Sequence, residues 1–141
     1  MAAFVKYNVF VEHLAEKVHN LGADTLKVML SNTAPVVGTH TVRADAAEIA
    51  GGNGYTSGGN ACTISSSAQS GGVYTLALAD PATWVAAGGA IGPFRYAILY
   101  NDTPTSPVDP LIAYWDYGAS ITLGVGESFT VDFGASVLTL T

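Results

Sequence analysis

The chain has 141 residues, of which 49% are hydrophobic and only 11% are charged, and its formal net charge is −6. This length suits one domain with a substantial core. From Ile49 onward the only basic residue is Arg95, which argues against nucleic-acid binding, because that function needs clustered Lys and Arg. No apolar run reaches the roughly 20 residues of a membrane span. The N-terminal stretch lacks the pattern of a signal peptide, so we expect synthesis in a cytoplasm and no membrane partner.

Residues 4–21 form the only good helix candidate. Six apolar residues recur there at spacings of three and four, which gives one apolar stripe: Tyr7, Phe10, Val11, Leu14, Val18 and Leu21. Asn20 and Gly22 are suited to end such a helix. The alternation of Val5, Tyr7, Val9 and Val11 also permits an extended start. The sequence therefore predicts a helical N-terminal segment, 1–22, ahead of a β domain, 23–141.

The next elements are strands separated by breakers. Thr25–Ser31 predicts a strand with Leu26, Val28 and Leu30 on one face and Lys27 and Met29 on the other. Pro35 ends this run, because proline cannot continue a ladder. Within the ambiguous stretch 36–50, residues 45–50 favour a short helical turn. Five glycines predict a flexible loop over 51–60, and strands are expected at 63–67 and 73–79, joined by a turn at 70–72.

The stretch 94–117 is the predicted centre of the fold, with two strands and the long loop 101–110 between them. The first strand places Phe94, Tyr96, Ile98 and Tyr100 on one face, and the second places Leu111, Ala113, Trp115 and Tyr117 on one face. Neither strand has a clean polar face, which predicts cover on both sides by a second sheet or another subunit.

Further strands are predicted at 120–123, 127–133 and 137–140 around glycine turns. About eight short strands and one N-terminal helix make a single mainly β domain, a β-sandwich or jelly-roll-like arrangement. The pairing order does not follow from the pattern.

Candidate catalytic and metal-binding patterns are weak. The glycine loop lacks the Gly-Lys-Ser/Thr of a phosphate loop, and His13 and His19 are six residues apart, which does not match the i, i+4 metal pair of a helix. Surface positions are expected for the histidines and a buried, inert thiol for Cys62. Asp102 and Asp109 lack the spacing of a calcium loop. The sequence predicts no enzyme, no metal and no cofactor.

Four stretches resemble small structural proteins of tailed bacteriophages. They are VFVEHLAEKVHNLGADTLKVMLSNTAP, GNGYTSGGN, WVAAGGAIGPFRYAILYNDT and PLIAYWDYG. The resemblance is greatest to capsid decoration, or cement, proteins with a jelly-roll fold. It implies a virion protein on the capsid surface that binds the major capsid protein as a homo-oligomer, with a trimer favoured. No active-site residues follow from it.

Intersubunit contacts are expected from residues 1–22, 51–60 and 101–110. The individual candidates are Tyr55, Trp84, Asn101, Pro104, Pro107 and Pro110, because aromatic side chains and stiff loops often form contacts. A tail-associated or receptor-binding module that recognises host polysaccharide is the alternative, since Tyr55, Trp84 and Trp115 could stack on a sugar. A hydrolase within a β-sandwich is the least favoured interpretation.

Overall fold

The protein, described here from a computed structural model covering residues 2–141, is mainly β, as predicted. Within that range it has ten strands, one α-helix and one 3-10 turn. The strands are β1 (Val5–Lys6), β2 (Leu26–Ser31), β3 (Asn60–Cys62), β4 (Ile64–Ser70), β5 (Val73–Leu78), β6 (Trp84–Val85), β7 (Ile91–Asn101), β8 (Leu111–Leu123), β9 (Ser128–Phe129) and β10 (Leu138–Leu140). Helix α1 is Val9–Ala15, and the 3-10 turn is Arg43–Asp45.

The strands form three antiparallel sheets in a sandwich-like arrangement. The five-stranded sheet has the order β1-β8-β7-β2-β3, the three-stranded sheet β10-β5-β4, and β6 pairs with β9. An inner core lies between the two larger sheets; it includes Leu26, Val28, Leu30, Leu76, Leu99, Ile112 and Leu138. These residues come from strands of both sheets, so burial of apolar surface holds the two layers together.

The centre of the five-stranded sheet is buried on both faces, which confirms the prediction for the two central strands. Its second face carries a smaller outer core, formed by Tyr7, Met29, Ala46, Tyr96, Ile98, Tyr100 and Leu111. Partly buried Val9 and Val37 pack against this outer core. One face is therefore covered by the other layer of the sandwich, and the second face by loops and the N-terminal segment of the same chain.

Irregular strand pairing changes which faces the central side chains share. The β7–β8 register shifts between Phe94 and Tyr96 and between Leu99 and Tyr100. Phe94 therefore belongs to the inner core while Tyr96 belongs to the outer core, and Leu111 is separated in the same way from Ala113. The predicted common faces were wrong at these positions, because β8 has three extra residues at the first shift and one at the second, and an odd number of extra residues reverses the alternation of paired side chains.

The predicted helix over 4–21 is wrong in its extent. Val5 and Lys6 pair with Tyr114 and Ala113 of β8, as the extended alternative allowed. The helix then ends at Ala15, and Lys17 takes a left-handed conformation with φ 68°.

Two backbone bonds close the end of this helix. The Val18 N–H donates to the His13 carbonyl at 2.8 Å, and the Lys17 N–H to the Leu14 carbonyl at 3.4 Å, which is a Schellman motif. The chain then turns, and Leu21 enters the inner core from outside the helix. The described part of the predicted segment, residues 2–22, is thus not a separate helical unit, because it contributes to the main sheet and to both cores.

Other predicted element boundaries also differ from those in the structure. The short helical turn lies at Arg43–Asp45 and not over 45–50, because the Asp45 carboxylate accepts the Thr41 and Val42 N–H groups at 2.8 and 3.1 Å. The strand predicted at 120–123 is the continuation of β8, and the one predicted over 127–133 is reduced to Ser128–Phe129. Local glycine and alternation patterns do not reveal such continuity across a sheet.

Glycines are required at two places in the backbone, a tight turn and a close approach of two strands. Gly71 and Gly72, with φ of 59° and 84°, form the two-residue turn between β4 and β5, as expected of a type I′ hairpin. At Gly59, with φ 72°, a Cβ atom would overlap the carbonyl oxygen of Val28. Only glycine allows β3 to approach β2 so closely.

We predict different outcomes for alanine at these two glycines. Gly59→Ala should lower the free energy of unfolding by more than about 3 kcal/mol, because it combines a steric overlap with an unfavourable φ. Gly71→Ala meets nothing within 4 Å and should lose only about 1 kcal/mol, from φ alone. Urea denaturation of both variants measures the difference. Equal losses would contradict the close approach at Gly59.

Candidate functional site: an interaction surface

The candidate contact residues divide into buried and accessible groups. Tyr55 and Trp84 are each 2% exposed and Asn101 is fully buried. These side chains are enclosed within one copy of the chain, so the expectation that they form intersubunit contacts is corrected. Tyr55 and Trp84 lie in the inner core, and Tyr55 and Asn101 also form hydrogen bonds to residues distant in sequence, which the linear pattern could not reveal.

The three prolines of the loop 101–110 also differ. Pro110 is buried, and its carbonyl accepts the Asn101 N–H at 3.0 Å, which closes the base of the loop. Pro104 and Pro107 are half-buried, while Val108 at the tip is 61% exposed. The accessible contact surface of this loop is therefore its tip, which sequence reasoning did not single out.

The glycine loop 51–60 is held in place by the carboxylate of Glu48. Glu48 Oε1 accepts the Tyr55 hydroxyl at 2.7 Å and the Gly58 N–H at 2.6 Å. Its Oε2 accepts Arg43 Nη2 at 2.7 Å and the Ser57 hydroxyl at 3.2 Å. Burial alone would raise the pKa of Glu48, but these donors outweigh it and hold the pKa below its ordinary value.

Two tyrosines tie the same loop to the sheet. The Tyr55 hydroxyl accepts the Leu30 N–H at 3.0 Å, and the Tyr100 hydroxyl donates to the Gly58 carbonyl at 2.7 Å. Burial raises the pKa of both phenols above the ordinary range. The loop predicted to be flexible is thus anchored through buried hydrogen bonds at Tyr55 and Gly58.

We predict that Glu48→Ala lowers the free energy of unfolding by about 3–5 kcal/mol, because Arg43, Tyr55 and Gly58 lose their shared acceptor. Glu127→Ala is the matched control. Glu127 Oε1 accepts the Gly124 N–H at an exposed turn, and its loss should amount to about 1 kcal/mol. Chemical denaturation measures both values, and equal effects would refute the role given to Glu48.

A second buried polar cluster surrounds Asn101. Its amide nitrogen lies 3.1 Å from His19 Nδ1 and 2.7 Å from Asp24 Oδ2, and its oxygen accepts the Thr103 N–H at 3.1 Å. These partners orient the amide, so His19 Nδ1 accepts and the proton of the neutral ring lies on Nε2. Both sides of the Asn101 amide are occupied, which leaves no room for glycosylation of the Asn101-Asp102-Thr103 sequence.

His19 is buried, contrary to the surface position expected for it. Its ring lies 5.9 Å from that of His13 and 5.3 Å from that of Phe10, between centroids. The two histidines meet because the chain turns back after Ala15. Burial and the neighbouring His13 lower the pKa of His19 to about 4, while Asp24 opposes this shift.

We predict that His19 makes the fold sensitive to acid. Between pH 6.5 and about 4 the unfolded chain protonates His19 while the folded chain does not, so the free energy of unfolding should fall as the pH falls. His19→Asn should flatten this part of the profile, whereas His40→Gln, outside the cluster, should not. Thermal melts from pH 7.5 to 4 measure the effect, and an unchanged profile in His19→Asn would contradict it.

The single thiol of the chain, Cys62, is 6% exposed, which confirms its predicted buried position. Burial raises the pKa of Cys62 to about 12 and so disfavours the thiolate form. Within residues 2–141, no group of three or more His, Cys, Asp and Glu side chains is placed to hold a metal ion.

An apolar cleft of about 380 Å³ opens between the five-stranded sheet and the segment after β9. Its aromatic lining residues include Phe94, Trp115, Tyr117 and Phe129. Tyr117 is 59% exposed, and its ring lies 6.0 Å from that of Phe129. The pair Arg95–Asp116, joined by bonds of 2.8 and 3.0 Å, lies next to Tyr96 and Trp115 along the strands that form this cleft.

An exposed neutral surface lies on the β4–β5 hairpin. No charged residue lies between Glu48 and Asp80, and residues 65–73 are all exposed. By contrast, the three cations from Lys27 onward each lie against a carboxylate: Lys27 with Asp102 at 3.1 Å, Arg43 with Glu48, and Arg95 with Asp116. Lys27, Arg43 and Arg95 are thus paired locally, and the hairpin carries no charge that would repel a like-charged surface.

No family model matches this chain, and no curated protein or solved structure is significantly similar to it. In residues 2–141, no helix combines the length and the hydrophobicity needed to cross a lipid bilayer.

Proposed function

We propose that this chain is a structural subunit of a tailed-phage virion, a capsid decoration protein that binds the assembled head as a homo-oligomer. The observation that carries the proposal is the exposed, uncharged surface that extends along the β4–β5 hairpin within the charge-free stretch 49–79. Such a surface is unusual for a free monomer and suits a subunit that is covered in its assembly. The resemblance of four stretches to phage structural proteins points the same way and favours a trimer.

The mechanism follows from binding linkage. A subunit that binds the assembled lattice and not the separate capsid protein adds its binding free energy to the stability of the shell. Weak contacts repeated by symmetry then combine into high avidity. The doubly buried central sheet supplies a rigid scaffold for this role, because little conformational entropy remains to be lost when the subunit binds.

The loop 101–110 has the features of a preformed contact with the major capsid protein. Three hydrogen-bond acceptors fix its base. The first is the Pro110 carbonyl; the second is Thr103 Oγ1, which accepts the Thr25 N–H at 2.8 Å. The third is the Asp109 carbonyl, which accepts the Arg43 N–H at 2.8 Å. Its tip exposes Val108. Pro110→Gly would disturb this base, so Val108 is the better residue for a test of binding.

We predict that Val108→Asp weakens attachment to purified shells of the encoding phage by about tenfold per site, because desolvating a charge at a contact opposes binding. Val125→Asp is the control, since Val125 is 68% exposed in a turn remote from this loop and should bind like the native chain. Occupancy is measured by co-sedimentation and electron microscopy. Absence of the native chain from those shells would overturn the proposed function.

The apolar cleft favours one second candidate, a tail-associated module that binds host polysaccharide. Trp115 and Tyr117 line the cleft, and exposed aromatic rings can stack on sugar rings. Tyr55 and Trp84 are enclosed and cannot take part. Saturable binding in a glycan screen, lost in Trp115→Ala, would favour this function over the capsid role.

A further inference from the structure

We propose that two copies of this chain pair through strand β4, antiparallel and across a two-fold axis, so that their three-stranded sheets join into one six-stranded sheet. This inference builds on the proposed role as an assembly subunit and names the contact that the subunits use. It rests on the position of β4 in its sheet, on its exposure and on its lack of charge.

Strand β4 is an open edge of unusual length for this fold. It ends the order β10-β5-β4 and has seven residues. The other edge strands in the described residues, β1, β3 and β10, and the strands of the β6–β9 pair have only two or three residues. In an antiparallel ladder every second residue turns its N–H and C=O away from the neighbouring strand, so β4 presents a row of unpaired backbone groups.

Most of the features that normally protect an edge are missing from β4. Its sequence, ISSSAQS, contains no Lys, no Pro and no inward-pointing charge, although these are the usual devices against edge-to-edge pairing. The one irregularity, a bulge between Ile64 and Ser66, lies at the end remote from the turn. Residues 65–70 are all exposed, and the loop at Gly22 lies beside the Ser67 side chain.

Electrostatics favour a second copy as the occupant. The chain has a net charge of −6, so most contacts between two copies bring like charges together, whereas β4 and its hairpin carry none. Two identical antiparallel edges also match in length and hydrogen-bond spacing. A single β4–β4 contact therefore covers the exposed edge of both copies. The side chains of Ser66, Ser67 and Ala68 are small, so the backbones can approach to the usual strand separation of about 4.8 Å.

The outer face of the hairpin is consistent with continuation of the sheet. The register pairs Ser66 with Ala77, Ala68 with Thr75 and Ser70 with Val73, and all six are uncharged. Cross-strand neighbours share one face, so this face would extend across the two-fold axis as a neutral surface. Two-fold pairing makes the contact isologous, so the assembly contains an even number of copies: either a dimer, or two of the trimers that the resemblance favours joined into a hexamer.

The test compares two lysine variants of the full chain by light scattering during size-exclusion chromatography. Ala68→Lys places a charge on the β4 edge, and Thr139→Lys places the same charge on β10, at the opposite edge of the same sheet. We expect a dimer, or a hexamer if a three-fold contact is also present, with self-association at least tenfold weaker in Ala68→Lys and unchanged in Thr139→Lys. Circular dichroism confirms that both variants are folded.

Cysteine scanning provides an independent measurement. Single cysteines at Ser66, Ser67, Ala68 and Gln69 are oxidised with oxidised glutathione, and the buried Cys62 serves as the internal control. Antiparallel two-fold pairing brings one of these positions opposite its own copy, so one variant should form a disulfide-linked dimer much faster than the others.

The outcomes separate this inference from the proposed function. A native chain that forms a trimer, self-association that Ala68→Lys leaves unchanged, or no cross-link at any of the four positions would overturn β4 pairing while the capsid role stands. A protein that remains monomeric at all concentrations and does not bind shells would overturn both.

Discussion

The antiparallel pairing of β2, β7 and β8 is the constraint on which the rest of this structure depends. Strand β7 pairs with β2 along six residue pairs, from Leu26 with Asn101 to Ser31 with Tyr96, and with β8 over most of its length. Because the centre of this three-strand unit is buried on both faces, the segments around it either cover one of these faces or extend one edge. The three-stranded sheet covers one face, and the N-terminal segment and residues 37–46 cover the other.

Buried polar groups explain why the covering loops have defined positions. Glu48 fixes the glycine loop against Tyr55 and Gly58, and Asn101 fixes the turn after α1 through His19 and Asp24. In each case one side chain satisfies several donors or acceptors that would be costly to leave unpaired away from water. Rigid loops follow from this arrangement, and rigid loops suit a protein whose proposed task is to present surfaces to neighbours.

The small number of charged residues connects the fold to the proposed function. Cations are few, and Lys27, Arg43 and Arg95 are paired within the chain. The charge-free stretch 49–79 includes both the glycine loop, anchored through the buried Tyr55 and Gly58, and the exposed hairpin. Within this one segment, the missing Cβ atom of Gly59 allows close backbone packing, and the absence of charge leaves an open strand edge at β4.

The sequence by itself determined the strand-rich class, the central pair with its connecting loop, the hairpin turn at Gly71-Gly72, the buried Cys62 and the absence of a basic surface. These follow from alternation, turn chemistry and composition, which are local properties. Only the tertiary structure decided the rest. Part of the N-terminal stretch forms a strand because Val5 and Lys6 pair with the edge of β8. Shifts in the β7–β8 register place Phe94 and Leu111 on faces other than the predicted ones. Three predicted contact residues are buried because segments distant in sequence contact them: Tyr55, Trp84 and Asn101. Such long-range contacts produce no periodic pattern in the sequence.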